Sequence, residues 1–277
     1  MTDKTMTWSG ARLAVEATGN TAIVRLFNPP GGYMDATMEA ELEQALDRLD
    51  QWTAGRAVVI TGRDPGMFVR HYDVGALHER AQAMRARNLS FSLERPVKPA
   101  GIHRCIERIG SSPMVFIAAV NGVAMGGGFE LALGCDIRVV QAGEYQLGLP
   151  ELNLGLLPGA GGTQAMARLL GSGPALYYLL TAKVFRPPEL VTMGLAAECV
   201  PDALGRALEI ARGIEAVPAR ACANIKQLVR NASRWSEAQG LAAERSLFCD
   251  CMVDPQAQAL MEAVATGRRT IADPPPG

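Results

Sequence analysis

Two glutamates and a run of glycines are the residues of this chain whose types and spacing could do chemistry. Gly126-Gly127-Gly128 stands where an apolar stretch gives way to a helical one, and Glu130 follows in the first turn. Three glycines leave the backbone bare of side chains. The first N–H groups of a helix lack intrahelical acceptors and carry a partial positive charge. Such a junction can hold an oxyanion. Glu151 lies 151 − 130 = 21 residues further on, in a loop punctuated by glycine and proline. Two carboxyls on separate elements can divide acid and base work, and if they share a water their pKa values are pushed apart. Each feature also has a plainer reading. The triplet can be a tight turn, Glu130 a carboxylate favoured by the helix dipole, and Glu151 a solvated loop residue. The glycines do not give Gly-x-Gly-x-x-Gly, and no Lys-Ser/Thr follows to make a phosphate loop.

The elements that must position these groups follow from pattern. Val115-Phe116-Ile117-Ala118-Ala119-Val120 is too short to span a membrane and reads as a buried strand that breaks at Asn121-Gly122. Phe129, Leu131, Ala132 and Leu133 continue as a helix. Upstream, Leu13–Glu16 and Ala22–Leu26 read as strands paired across Gly19-Asn20. Asp35 is placed to cap a helix carrying Leu42, Ala45, Leu46 and Leu49, and Ala57–Ile60 is a further strand. Strand, helix, strand implies a parallel crossover. Residues 63–75 read as a loop, 77–89 as a basic helix with a solvated face, and 101–110 as another helix. Strands are expected at 136–140 and 196–200, and helices at 163–170, 173–181 and 187–194. From Ala203 onward the pattern is helical. The architecture expected is a β/α core at 1–200 with a helical C-terminal subdomain at 201–277.

The 277 residues suit one domain with an appendage, and 48 % apolar content is enough for a sizeable core. A net charge of −1 argues against a broad nucleic-acid surface. The six cysteines include no Cys-x-x-Cys and read as buried thiols of a reducing compartment. His71, His78 and His103 stand on separate segments without ligand spacing, so no metal site is expected. Met1-Thr2-Asp3-Lys4 has no apolar signal core, which makes a cytoplasmic, membrane-free protein the expectation.

Ala118-Ala119-Val120-Asn121-Gly122-Val123-Ala124-Met125-Gly126-Gly127-Gly128-Phe129-Glu130-Leu131 resembles the signature of the enoyl-CoA hydratase/isomerase family, the crotonase fold. So do Cys135-Asp136-Ile137, Leu149-Pro150-Glu151 and Pro158-Gly159-Ala160-Gly161-Gly162-Thr163-Gln164, in order and at matching distances. The likeness runs from about residue 12 to about residue 265. It implies an α/β spiral core and an acyl-CoA thioester as substrate. Coenzyme A is then part of the substrate rather than a separate cofactor. It also implies an oxyanion hole formed by the N–H groups of Tyr72 and Gly127. By the same resemblance Glu130 activates water and Glu151 delivers a proton to Cα. Gly31, Tyr33, His71, Asp73, Gly126 and Lys226 fall where coenzyme A or the acyl group is bound. Lys226 is the one side chain among them that could meet a CoA phosphate. The family generally forms trimers or pairs of trimers, packed through C-terminal helices.

One loop departs from the family pattern. Where a Phe is usually followed by Ala-Gly-Ala-Asp, this chain reads Phe68-Val69-Arg70-His71-Tyr72-Asp73. His71 replaces a glycine, which is costly if the position needs positive φ. Tyr72 replaces a small residue, and its ring is expected along the acyl or pantetheine channel. The two glutamates favour a hydro-lyase acting on a 2-enoyl-CoA. The altered loop keeps open another crotonase-fold reaction: double-bond isomerisation, acyl-CoA hydrolysis or C–C cleavage. A non-catalytic acyl-CoA- or RNA-binding homologue is the third reading.

Overall fold

The computed structural model describes residues 6–99 and 101–273. The chain opens with three antiparallel strands, β1 (Thr7–Ser9), β2 (Leu13–Thr18) and β3 (Thr21–Leu26), with Gly19 at φ +63° in the expected turn. Helix α1 (Ala36–Asp50) starts where Asp35 accepts a hydrogen bond from the Met38 N–H at 2.8 Å, and it buries Met38, Leu42, Ala45, Leu46 and Leu49. It returns the chain to β4 (Ala57–Gly62), parallel to β3.

The stretch 63–75, expected as a loop, contains a strand, β5 (Gly66–Val69). Helix α2 (Val74–Ala86) buries no residue, and α3 (Ile102–Ser111) buries Ile102, Cys105 and Ile109. Next come β6 (Val115–Val120) and, after Asn121, a second short strand, β7 (Gly122–Met125), in place of the break expected there. Helix α4 (Gly127–Gly134) is wholly buried. It leads to β8 (Ile137–Gln141), β9 (Leu147–Gly148) and a 3₁₀ turn at Glu151–Leu154. Then follow α5 (Gly162–Leu170), α6 (Ser172–Leu180), β10 (Val184–Phe185), α7 (Pro187–Thr192) and β11 (Glu198–Val200). Four helices complete the described chain: α8 (Ala203–Glu215), α9 (Ala219–Asn231), α10 (Glu237–Met252) and α11 (Pro255–Ala265).

Seven strands form one sheet in the order β1-β2-β3-β4-β6-β8-β11, parallel from β3 onward. β4 and β6 are buried on both faces, which explains their unbroken apolar runs. Their residues alternate between two cores. Val58, Ile60, Phe116, Ala118 and Val120 face the larger core; Ala57, Val59, Val115, Ile117 and Ala119 face the smaller. The smaller core is closed by Ala203, Ala207 and Ala211, at four-residue spacing on α8. By packing, α8 lies against the sheet.

β10-β9-β7-β5 make a second, smaller sheet. The chain passes from one sheet to the other at Asn121, whose side-chain amide donates to the Gly62 and Asp64 carbonyls while its oxygen accepts from the Gly62 N–H. The corner has no room for side chains. A Cβ at Gly122 would lie 1.8 Å from the Gly66 carbonyl carbon, and one at Gly62 would lie 1.8 Å from the Met67 oxygen. α4 leaves from the end of β7, so this corner positions the glycine triplet.

Candidate active site

The glycine junction is tight for a reason visible in its surroundings. Gly126 sits at φ +50°, and a Cβ on Gly128 would lie 2.3 Å from the Val69 oxygen, so α4 starts directly against β5. The Gly126 N–H donates to the Gly148 carbonyl at 3.0 Å, and the Gly126 carbonyl accepts from Glu130 at 2.8 Å. The Gly127 N–H, at the first helical position, has no acceptor of its own within the helix. Across from it lies Tyr72. A Cβ added at Gly127 would stand 3.9 Å from Tyr72 Cβ.

The Tyr72 backbone is held by its neighbours. Met34 donates its N–H to the His71 carbonyl and accepts from the Asp73 N–H, each at 2.8 Å, as in a parallel bridge. In that register the N–H of Tyr72 is turned away from Met34. Among the described residues it meets no acceptor. Tyr72 and Gly127 are therefore brought together with both N–H groups available.

Glu130, only 4 % exposed, points from the first turn of α4 into the loop before α5. Its Oε1 accepts from the N–H groups of Ala160 at 2.7 Å and Gly162 at 2.8 Å. Burial pushes its carboxyl above the usual range, opposed by those two N–H donors and by His103. Glu151 opens the 3₁₀ turn with its Oε1 about 3.2 Å from where a Gly126 Cβ would be. Its Oε2 is buried with no hydrogen-bond partner. Burial pushes the Glu151 carboxyl up to about 7, and the charge of Glu130 adds to the push. Two carboxyls thus flank the start of α4 in unequal settings, one gripped by backbone donors and one with a bare oxygen. That pairing suits a base and an acid acting on one substrate.

The altered loop is unstrained. Among the described residues the non-glycines at positive φ are Asn88 and Ala182, so His71 fits without the feared steric penalty. Its Nδ1–H donates to the Tyr72 carbonyl at 2.7 Å, and its ring lies 4.8 Å from that of Tyr33. Arg70 donates from Nε to the Gly31 carbonyl at 2.8 Å, with its guanidinium 5.9 Å from the Tyr33 ring. Gly31, Tyr33, Arg70 and His71 thus form one patch beside Tyr72. The Tyr72 ring packs on the larger core and lies in the field of Glu39 and Arg80, on α1 and α2. The Asp73 side chain caps α2 by accepting from the Ala76 N–H at 3.1 Å.

Lys226 is a correction. Expected at a CoA phosphate, it is 8 % exposed, and its ammonium donates to the Ile109 and Met114 carbonyls and to Asp136, at 2.8, 2.7 and 2.7 Å. An ammonium has three protons, and all three are used inside the protein. His103 is the residue that sequence reasoning missed. From α3 its Nε2–H donates at 2.6 Å to the carbonyl of Gly159, next to the two N–H groups that hold Glu130. Its partner is a backbone carbonyl brought near only by the fold, which the spacing of histidines along the chain does not reveal; no cluster fit to hold a metal exists among the described residues.

Residues 16–266 match the enoyl-CoA hydratase/isomerase family. The chain belongs to that family. A probable enoyl-CoA hydratase of Bacillus subtilis is 28 % identical over 252 residues, which cover 90 % of this chain and 93 % of that one. A crystal structure of an enoyl-CoA hydratase from Geobacillus kaustophilus superposes with a TM-score of 0.85 at 25 % identity, covering 96 % of this chain and 98 % of the other. The crotonase fold expected from the motifs is therefore the fold of the molecule. The fatty acid oxidation complex subunit alpha of Aliivibrio fischeri is 35 % identical over 173 residues, or 62 % of this chain; the match spans about a quarter, 24 %, of that much longer protein.

Proposed function

We propose that this member of the family is a hydro-lyase that adds water to a 2-enoyl-CoA and removes it in reverse. The observation that carries this reading is the unequal pair. Glu130 is fixed at Oε1 by Ala160 and Gly162, while Glu151 keeps its proton up to about 7 and presents a buried, unpartnered Oε2.

In this reading the thioester oxygen rests against the N–H groups of Tyr72 and Gly127. Ionised Glu130 takes a proton from water as the water oxygen bonds to Cβ. The C=C π electrons move onto the thioester oxygen and form an enolate. The enolate re-forms its carbonyl as Cα takes the proton of Glu151. Glu130 ends protonated and Glu151 ionised, and exchange with solvent resets both. N–H donors aimed at developing negative charge are each worth roughly 3 kcal/mol. Each positioned carboxyl contributes about 10²–10⁴-fold.

The test is loss of enoyl-thioester absorbance across short, long and aryl 2-enoyl-CoAs, with Glu130→Gln and Glu151→Gln in parallel. Turnover that drops by at least about 10²-fold in each variant supports the reading. Turnover that survives intact in either variant, or binding of every thioester without turnover, overturns it.

A further inference from the structure

A cavity of about 920 Å³ lies between α3, α4, α5 and α9, and Glu130 is part of its wall. One end holds His103, Glu130, Ala160 and Gly161, the groups around the reacting carboxyl. The other end holds Arg168, Arg230, Arg234 and Lys226. The two ends are joined by helix. His103 to Gly110 on α3 and Gly161 to Arg168 along α5 each span seven steps, about 10 Å at the rise of an α-helix. The far end is fixed by contacts: Lys226 reaches the Ile109 carbonyl, and Arg230 donates to the Gly134 carbonyl at 2.7 Å.

The far end carries more positive than negative charge. Lys226 and Arg230 share a single acid, Asp136, at 2.7 and 2.6 Å. Arg168 and Arg234 have no carboxylate within ion-pair distance among the described residues. Burial and the charges of Arg230 and Arg234 all push the Arg168 guanidinium down, and no acid opposes them. Besides Glu130, the acid on the wall is Glu107 of α3. A long alkyl tail gains free energy from apolar walls. Here Ile106 and Leu133 are part of the wall together with the exposed guanidinium groups of Arg168 and Arg234. Guanidinium presents paired donors that match a carboxylate.

We propose that this cavity receives the tail of the acyl group and that the tail ends in a carboxylate, so that the substrate is a monothioester of an unsaturated dicarboxylic acid. Arg168 and Arg234 are then the groups that select the acid terminus. The proposal rests on the hydratase reading of the site.

The experiment compares two 2-enoyl-CoAs of matched length, one ending in a methyl group and one in a carboxylate. The same pair is used for wild type, Arg168→Gln and Arg234→Gln. Wild type is expected to favour the carboxylate by about tenfold or more in kcat/KM, mainly through KM, as a charge-assisted contact would give. Each substitution should bring that ratio towards one. Equal use of both thioesters by wild type, or a ratio untouched by both substitutions, overturns the proposal and leaves the hydratase reading standing. If neither thioester turns over, the hydratase reading falls. The cavity is then judged by calorimetric Kd for the same pair, where the same preference is expected and equal affinity overturns it. Substitutions that change the mass of the assembly in sedimentation and leave the ratio alone would assign the arginines to a contact between copies of the chain and also overturn it.

Discussion

Glu151 carries consequences for rate and for stability, with opposite demands on its proton. As the acid of the proposed hydration, it must be protonated while Glu130 is ionised. The hydration rate should therefore fall on the alkaline side as Glu151 loses its proton near 7, and on the acid side as Glu130 gains one. A bell-shaped kcat profile checks this, and Glu151→Gln should erase its alkaline limb along with most of the rate. Stability follows the sign of the shift. The unfolded chain releases this proton near the ordinary glutamate value of about 4.3, and the folded chain near 7. Between those values the native state binds more protons, so raising pH through the window removes stability. Glu151→Gln should raise the midpoint of thermal unfolding at pH 8 by the equivalent of roughly 1–2 kcal/mol, allowing for screening of a half-buried group, and leave it unchanged near pH 4. Both carboxyls were legible in the sequence because they sit inside fixed-order motifs. His103 was not, since its role depends on where α3 places it beside Gly159.

At the scale of elements, the loop from Pro158 to Gly162 and helix α9 do distinct work. A Cβ on Gly162 would meet Glu130 Oε1 at 2.9 Å and Leu149 Cδ1 at 2.8 Å. Gly162→Ala should displace the carboxylate and lower kcat by about 10²-fold, with a small change in KM, as steady-state kinetics would show. Lys226→Met leaves the Ile109 and Met114 carbonyls without their shared donor while Asp136 keeps Arg230. Urea unfolding should show a loss of about 2–4 kcal/mol with KM little changed, which separates a structural tie from a CoA contact. The strands and their parallel order were readable because β4 and β6 are continuously apolar and bounded by turns. β5 was hidden, since Gly66 to Val69 pair with β7 rather than with a sequence neighbour. β7 was hidden by Asn121-Gly122, a turn signal that here serves a change of sheet.

At the scale of the molecule, the helices beyond α8 leave apolar surface uncovered. Ile225 and Val229 on α9 and Phe248 on α10 are 62 %, 69 % and 64 % exposed. Exposed clusters of large side chains mark contact surfaces. Sedimentation is expected to show a trimer or a pair of trimers for the wild type and a monomer for a Val229→Glu, Phe248→Glu double variant. The run of helices from Ala203 onward was legible in the sequence pattern, but the packing of α8 was not. The residues of α8 read as helix in either subdomain, and only the alanines set against Ala57, Val59 and Ile117 assign it to the sheet.

The internal tie of Lys226 also bears on chemical self-damage. Thioesters are electrophiles that acylate free amines, and a chain that acts on them, as proposed for this one, is exposed to its own substrate. This one has four lysines in all, Lys4, Lys98, Lys183 and Lys226, the rest of its 27 basic residues being arginine. Arginine keeps its proton at any physiological pH and so offers no nucleophilic lone pair. Lys226, which lines the same cavity as Glu130, is enclosed and hydrogen-bonded on every proton. The basic wall around the candidate site is accordingly built almost wholly from a cation that an acyl donor cannot modify.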